Sequence, residues 1–183
     1  MGVRIFISYR RDDSSHVAGR LSDRLRDAFG EEHVFYDVES INPGDDFREV
    51  IIDTLALVDL VLVVIGPNWQ PERLQSQADY VRIEISEALR QGKRVVPVLL
   101  DDVSMPSAEQ LPPELAKLAF LNATRLRRDP DFRGDSGRIV EFLRSLDAKR
   151  SRPELSDPAA RTPSALVGVG RQLRSKTIDG SAL

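Results

Sequence analysis

The segment Asp79-Tyr80-Val81-Arg82-Ile83-Glu84-Ile85-Ser86-Glu87-Ala88-Leu89 holds the residues whose types and spacing come nearest to chemistry. Val81, Ile85, Ala88 and Leu89 recur at helical spacing and define a buried stripe. At about 100° per residue, Glu84 lies roughly 60–80° from the centre of that stripe, at the border of the packed face. Tyr80 is one turn earlier on the same side. A carboxylate and an aromatic ring so placed can form half of a ligand pocket. Partial burial raises the pKa of such a carboxyl, and a nearby Arg10 or Arg11 lowers it. The plainer alternative is a surface glutamate paired with Arg82, Arg90 or Lys93.

A second polar cluster is Ser8-Tyr9-Arg10-Arg11-Asp12-Asp13-Ser14. Adjacent guanidiniums at the mouth of a crevice suit phosphate or pyrophosphate, which arginine can grip with two nitrogens. A solvated loop that caps the following helix is the alternative. Neither GxGxxG nor GxxxxGK(S/T) occurs, so dinucleotide binding of the Rossmann kind and P-loop chemistry are unsupported.

The elements that must position these residues follow from periodicity. Residues 3–7 form a β-rich run, and apolar positions from Val17 to Phe29 predict a helix from Ser15, capped by Ser14 or Ser15 and stopped by Gly30. Further strands are expected at 33–36, 60–65, 95–100 and 120–123, the fourth interrupted by Pro97. Helices are expected over 47–55, 77–90 and 136–146, with turn-forming Asn42-Pro43-Gly44 in the loop before the first of these. The run Leu60-Val61-Leu62-Val63-Val64-Ile65 is apolar throughout, as in a strand covered on both faces. Alternation of this kind predicts an α/β protein with a flavodoxin-like five-stranded parallel sheet, order 2-1-3-4-5, with helices on both faces. Ligands then bind beyond the carboxyl ends of strands 1 and 3, which is where the loops 8–14 and 66–79 begin. A phospho-receiver of this architecture needs an acid at the end of strand 3, where Ile65-Gly66-Pro67 stands instead.

Composition narrows the function classes. The 183 residues include no Cys, which excludes disulfides and thiol chemistry, and the two histidines cannot alone make a metal site. His16 and His33 are expected at the surface. A net charge of −3 argues against nucleic acid as a partner. No apolar run approaches the roughly 20 residues of a membrane helix, and residues 1–7 lack the build of a signal peptide, so a cytoplasmic protein is expected. Residues 148–183 hold seven Lys or Arg, three acids and no aromatic residue, for +4 against −7 in the rest. A domain over 1–147 and a flexible extension over 148–183 are therefore expected. The 22 arginines against four lysines suggest a GC-rich bacterial genome. Trp69 either covers the end of the sheet or serves as an assembly contact. Arg125-Leu126-Arg127-Arg128 is a solvated basic face or an anion site.

Four segments resemble the TIR (Toll/interleukin-1 receptor) domain, in order and at fitting separations. Ile5-Phe6-Ile7-Ser8-Tyr9-Arg10-Arg11 is similar to its first box. Val34-Phe35-Tyr36-Asp37 with Ile41-Asn42-Pro43-Gly44-Asp45-Asp46-Phe47 resembles its second box and BB loop. Leu62-Val63-Val64-Ile65 with Asn68-Trp69 resembles the third strand and its loop, and residues 79–85 resemble the helix of TIR domains that cleave NAD. The resemblance covers about residues 3–146. It implies a flavodoxin-like fold, self-association through the BB loop at 37–47, signalling, and NAD+ glycohydrolase or ADP-ribosyl cyclase activity in defence. It implies Glu84 as the catalytic residue and Ser8, Arg10, Phe47 and Tyr80 as substrate-binding residues. The chain departs from the pattern in having Tyr80 where Trp is common and in Asp45-Asp46 lengthening the loop.

The chemistry so implied needs one carboxylate. The nicotinamide of NAD+ is already cationic and leaves without protonation, through an oxocarbenium-like state. Glu84 would hold the ribose hydroxyls and stabilise the developing charge. Arg10 would hold a polar group of the dinucleotide, and Phe47 and Tyr80 would supply stacking surfaces. NAD+ is substrate here; no cofactor or metal is implied. A separate sensor protein, or a longer parent chain, would supply the trigger. The competing expectations are a non-catalytic module that recruits other TIR domains, and a nucleotide sensor that binds without cutting.

Overall fold

A computed structural model describes residues 2–36, 44 and 46–151. Most of the expected BB loop and nearly all of the expected C-terminal extension lie outside the described residues. Five strands, β1 (Ile5–Ser8), β2 (Val34–Tyr36), β3 (Leu60–Ile65), β4 (Arg94–Leu100) and β5 (Thr124–Leu126), form one sheet in the order β2-β1-β3-β4-β5. All neighbours pair in parallel, with Ile5 opposite Leu60 and Ile65 opposite Leu99. Among the described residues the α-helices are α1 (Arg11–Phe29), α2 (Phe47–Leu57), α3 (Tyr80–Arg90) and α4 (Phe132–Ser151). The flavodoxin-like arrangement expected from periodicity is the one observed.

β3 shows why so apolar a strand belongs at the centre. Leu60, Leu62 and Val64 enter one core with Ala18, Leu21 and Leu25 of α1 and Ile139 and Leu143 of α4. Val61, Val63 and Ile65 enter the opposite core with Ile51 and Leu55 of α2 and Val81, Ile85 and Ala88 of α3. Side chains that alternate across a strand thus fill both layers, and every residue of β3 is buried.

Several boundaries differ from expectation. α1 begins at Arg11, four residues before the predicted start, with Arg10 in extended geometry at its N-cap. Its first turn carries Asp12 and Asp13, which favour the positive end of the helix dipole but carry no apolar period. α3 begins at Tyr80 rather than Gln77, because the Asp79 carboxylate accepts from the Arg82 backbone N–H and closes the helix there. The fifth strand lies at Thr124–Leu126, not 120–123, since Pro113–Phe120 winds as a 3-10 helix that buries Leu115 and Leu118. α4 extends well beyond the expected 136–146 at both ends. Pro97 sits one residue before the β4–β5 ladder begins at Val98.

At the carboxyl end of β3, Gly66 lets α1 approach the sheet. Asp13 Oδ1 accepts from the backbone N–H of Asn68 at 2.7 Å. A Cβ on Gly66 would overlap that carboxylate, lying 2.7 Å from Asp13 Cγ. Gly66→Ala must therefore break the Asp13–Asn68 bond or shift backbone, at a cost of about 1–3 kcal/mol. Thermal melting should show a lower Tm for Gly66→Ala, and a smaller loss when the same change is made in Asp13→Ala. An equal loss in both backgrounds would place the cost elsewhere.

Candidate active site

Two aspartates set the geometry by ending loops and starting helices. Asp46 accepts from the Arg48 N–H at 2.9 Å and opens α2; Asp79 accepts from the Arg82 N–H at 3.0 Å and opens α3. Each cap makes an aromatic residue the first of its helix, and these two rings, Phe47 and Tyr80, meet with centroids 4.7 Å apart and planes at 47°. Tyr80 is 53% exposed. One turn further along α3, Glu84 is only 8% exposed. Its Oε2 accepts a 2.6 Å hydrogen bond from the hydroxyl of Ser8, the last residue of β1, which is itself buried.

The partners considered for a surface glutamate are engaged elsewhere. Arg82 donates to the carbonyls of Leu74 and Gln75 and to the Glu114 carboxylate. Arg90 pairs with Glu87, and Lys93 donates to the carbonyls of Ala56 and Val58. Glu84 is thus an acid at the packed edge of α3, as its helical phase predicts, and not part of a solvated face.

Arg10 is a buried cation. Its Nε donates to the Trp69 carbonyl at 2.5 Å, and its Nη1 to Asp79 Oδ2 at 2.8 Å. Both side chains of this ion pair are at least nine-tenths buried. The guanidinium carbon stands 5.9 Å from the centre of the Trp69 ring. Arg10 Nη2 is buried with no partner among the described residues. Trp69 is 2% exposed and packs in the core beside α3, so it covers the end of the sheet and does not face a neighbour. The two carboxylate oxygens of Asp79 serve different elements. One caps α3 and the other holds the loop after β1, so the helix carrying Glu84 is tied directly to the strand end carrying Ser8.

These residues surround a cavity of about 780 Å3, lined among others by Tyr9, Asp12, Arg73, Asp79, Tyr80 and Glu84. That volume is in the range of small-molecule sites, ~300–1,000 Å3. The cavity lies beyond the carboxyl ends of β1 and β3, where strand order reverses, as the fold requires. Arg10, Tyr80 and Glu84 are on its wall; Ser8 reaches the site through Glu84, and Phe47 through the ring of Tyr80. Tyr9, Asp12, Arg73 and Asp79 fall in the two loops, 8–14 and 66–79, that the sequence places at the crevice, but sequence reasoning singled out none of them as a site residue. The Tyr9 ring stacks on Tyr36 of β2 at 4.9 Å and 8°, a contact no local pattern announces. Asp12 is held below the usual carboxylate range, first by the hydrogen bond from Arg73.

The remaining candidates lie away from the cavity. His16 is exposed, and His33 is half-buried against Glu32 with Nδ1 3.1 Å from its carboxylate. Arg127 pairs with Asp131 and the buried Asp135, and Arg128 with Asp101. Arg125 donates to the Asp101 carbonyl at 2.6 Å, so the basic run is tied into local contacts. Among the described residues no helix is long and apolar enough to cross a membrane.

Comparisons with known proteins bear on the family and the fold. The chain is 25% identical over 127 residues to the NAD(+) hydrolase sarm1 of Drosophila melanogaster, covering 68% of this chain and 9% of that protein. It is 30% identical over 126 residues to the NAD(+) hydrolase SARM1 of Danio rerio, covering 68% of this chain and 17% of that protein. The chain thus spans less than a fifth of the length of either curated relative. Among solved structures, the TIR domains of the activated Roq1 resistosome directly recognizing the pathogen effector XopQ superpose with a TM-score of 0.51. That alignment, at 16% identity, covers 79% of this chain and 99% of the other, and bears on the fold alone. The family model of the TIR domain matches residues 5–136, well over half of the chain. With the strand order, the matched span and the relatives in agreement, the chain belongs to the TIR domain family.

Proposed function

We propose that this TIR domain is an NAD+ nucleosidase, cleaving the bond between nicotinamide and ribose. The observation that carries the reading is the buried Glu84 carboxylate on the cavity wall, oriented by Ser8. Cleavage sends the bonding electron pair to the nicotinamide ring nitrogen, which becomes neutral, and leaves positive charge on the ribose. Glu84 stabilises that charge and holds the ribose hydroxyls. Water then attacks the anomeric carbon and releases a proton to give ADP-ribose, or an adenine nitrogen attacks it and the adenine loses a proton to give cyclic ADP-ribose, which lacks the added water. Arg10 Nη2, the buried donor without a partner among the described residues, is assigned to a polar group of the dinucleotide. The Phe47–Tyr80 pair is assigned to stacking on a ring of the substrate. NAD+ enters as substrate, and the scheme calls for no metal or cofactor.

The wider setting belongs to the same proposal. Residues 1–147 act as the enzyme domain and 148–183 as an extension, in a cytoplasmic, bacterial, defence-type signalling protein. Self-association through the 37–47 loop raises activity, and a separate sensor or a longer parent chain triggers it. The two relatives named NAD(+) hydrolases support the activity alone; the bacterial setting rests on the 22 arginines against four lysines.

Nicotinamide release, followed by chromatography, tests the reading. The purified chain is incubated with NAD+ at rising protein concentration, with and without a crowding agent. The expected result is nicotinamide with an equal amount of ADP-ribose or cyclic ADP-ribose, at a specific rate that rises with concentration. A chain that self-associates yet releases no nicotinamide at any concentration is instead an interaction module.

A further inference from the structure

Among the described residues, six charged side chains line the cavity: Arg10, Arg11, Asp12, Arg73, Asp79 and Glu84. The signs of these six balance, so a doubly charged diphosphate gains most where an ion pair can exchange its anion. Arg10 and Asp79 are buried together and Asp79 also caps α3, so separating them would leave two uncompensated buried charges. Asp12 and Arg73 are different. Their side chains are 67% and 43% exposed, and Arg73 Nη1 donates to Asp12 Oδ2 at 2.6 Å. The pair joins the first turn of α1 to the 3-10 turn Pro71–Gln75 after β3, elements 61 residues apart in sequence, and both partners line the cavity.

We propose that Arg73 is the residue that recognises the diphosphate of the substrate, and that Asp12 is a built-in competitor anion which the diphosphate displaces. This rests on the nucleosidase reading and adds to it a specificity element remote from Glu84. Exposed ion pairs contribute little, because both charges are also well solvated when apart. A diphosphate offers the guanidinium two or more oxygens in the planar arrangement it prefers, where a single Asp oxygen now sits. Exchange of one anion for the other therefore needs no buried charge to be exposed. Arg11 stands beside Asp12 on the same wall and adds positive charge. The exchange favours dinucleotides and nucleoside diphosphates over nucleosides, since a nucleoside has nothing with which to displace Asp12.

Calorimetric titration of ADP-ribose, ADP and adenosine tests this without turnover. Arg73→Gln should weaken ADP-ribose and ADP about tenfold or more and leave adenosine unchanged. Asp12→Asn should move the other way, tightening the two diphosphates about 2–5-fold with no change for adenosine. Opposite signs from two neighbouring substitutions separate recognition from a folding defect, and the melting temperatures of both variants are read alongside. Undiminished ADP-ribose affinity in Arg73→Gln overturns the inference while nicotinamide release by the wild type leaves the nucleosidase reading standing. Equal weakening of adenosine by Arg73→Gln also overturns it. A wild-type chain that binds none of the three and releases no nicotinamide overturns both.

Discussion

Glu84→Gln is expected to cut nicotinamide release about 10²–10³-fold, with the melting temperature nearly unchanged. The substitution keeps volume and leaves a carbonyl oxygen to accept from the Ser8 hydroxyl, now at 2.6 Å from Glu84 Oε2. It removes the negative charge and turns the other carboxylate oxygen into an amide donor. In the ground state that charge faces a cationic nicotinamide ribosyl group; in the transition state the positive charge moves onto the ribose, closer to the carboxylate, and the interaction strengthens. An interaction that strengthens along the reaction lowers the barrier, and its loss appears in kcat more than in KM. Burial of Glu84 in a cavity wall magnifies the effect, since a low local dielectric screens it less than water would. Ser8→Ala provides the contrast. It leaves the charge and loses the orienting bond, so a smaller fall, about tenfold, is expected. A Glu84→Gln chain with wild-type kcat would remove the carboxylate from the mechanism. Equal losses for Ser8→Ala and Glu84→Gln would make orientation, not charge, the controlling property.

How far this arrangement was legible without coordinates depends on the range of the interactions. The apolar run of β3 announces a central strand, because its pattern is a direct consequence of burial on both faces. The phase of Glu84 on α3 is likewise local, and one helical wheel places it at the packed edge beside Tyr80. The start of α1 is not legible by apolar period, since its first turn is Arg11-Asp12-Asp13-Ser14 and the reason for it to be helical is electrostatic and tertiary. The run 120–123 reads as a weak strand, yet pairing with β4 falls at Thr124–Leu126 because the preceding 3-10 helix uses residues up to Phe120. Arg10 was recognisable as a cation at a crevice. Its two partners, Trp69 and Asp79, lie 59 and 69 residues away, so its part in holding α3 in place could come only from the fold. Asp12 with Arg73 is the same case, an interaction across 61 residues with no local signature at either end.

The largest effect on stability is expected at Asp79. Asp79→Asn can still accept from the Arg82 N–H through its carbonyl, but its amide N–H groups then face Arg10 Nη1, donor against donor. Turning the amide over satisfies Arg10 in part and uncaps α3. In either pose the guanidinium of Arg10 stays buried without its counter-charge, a situation that costs about 3–5 kcal/mol. For a domain of this size that corresponds to a fall in Tm of roughly 10 °C. Arg10→Met fills similar volume without charge and leaves Asp79 with its capping bond; its own losses are the donor to the Trp69 carbonyl and the ion pair. The decisive measurement is the double variant. With both charges gone, the penalty for an unpaired buried ion disappears, so Arg10→Met with Asp79→Asn should be more stable than the sum of the two single losses requires, by about 1–3 kcal/mol. The loss at the Trp69 carbonyl is present in both chains that carry Arg10→Met and cancels in the cycle. Strict additivity would mean that the two side chains are held by other contacts and that the tie between β1 and α3 does not depend on their charge. Because Ser8 and Glu84 sit on the two elements so tied, the same cycle read in kcat shows whether the carboxylate keeps its position once the clamp is neutralised. Activity retained in the neutral double variant but lost in Asp79→Asn would assign Arg10 to positioning; activity lost in both, with stability restored, would assign its Nη2 to the substrate.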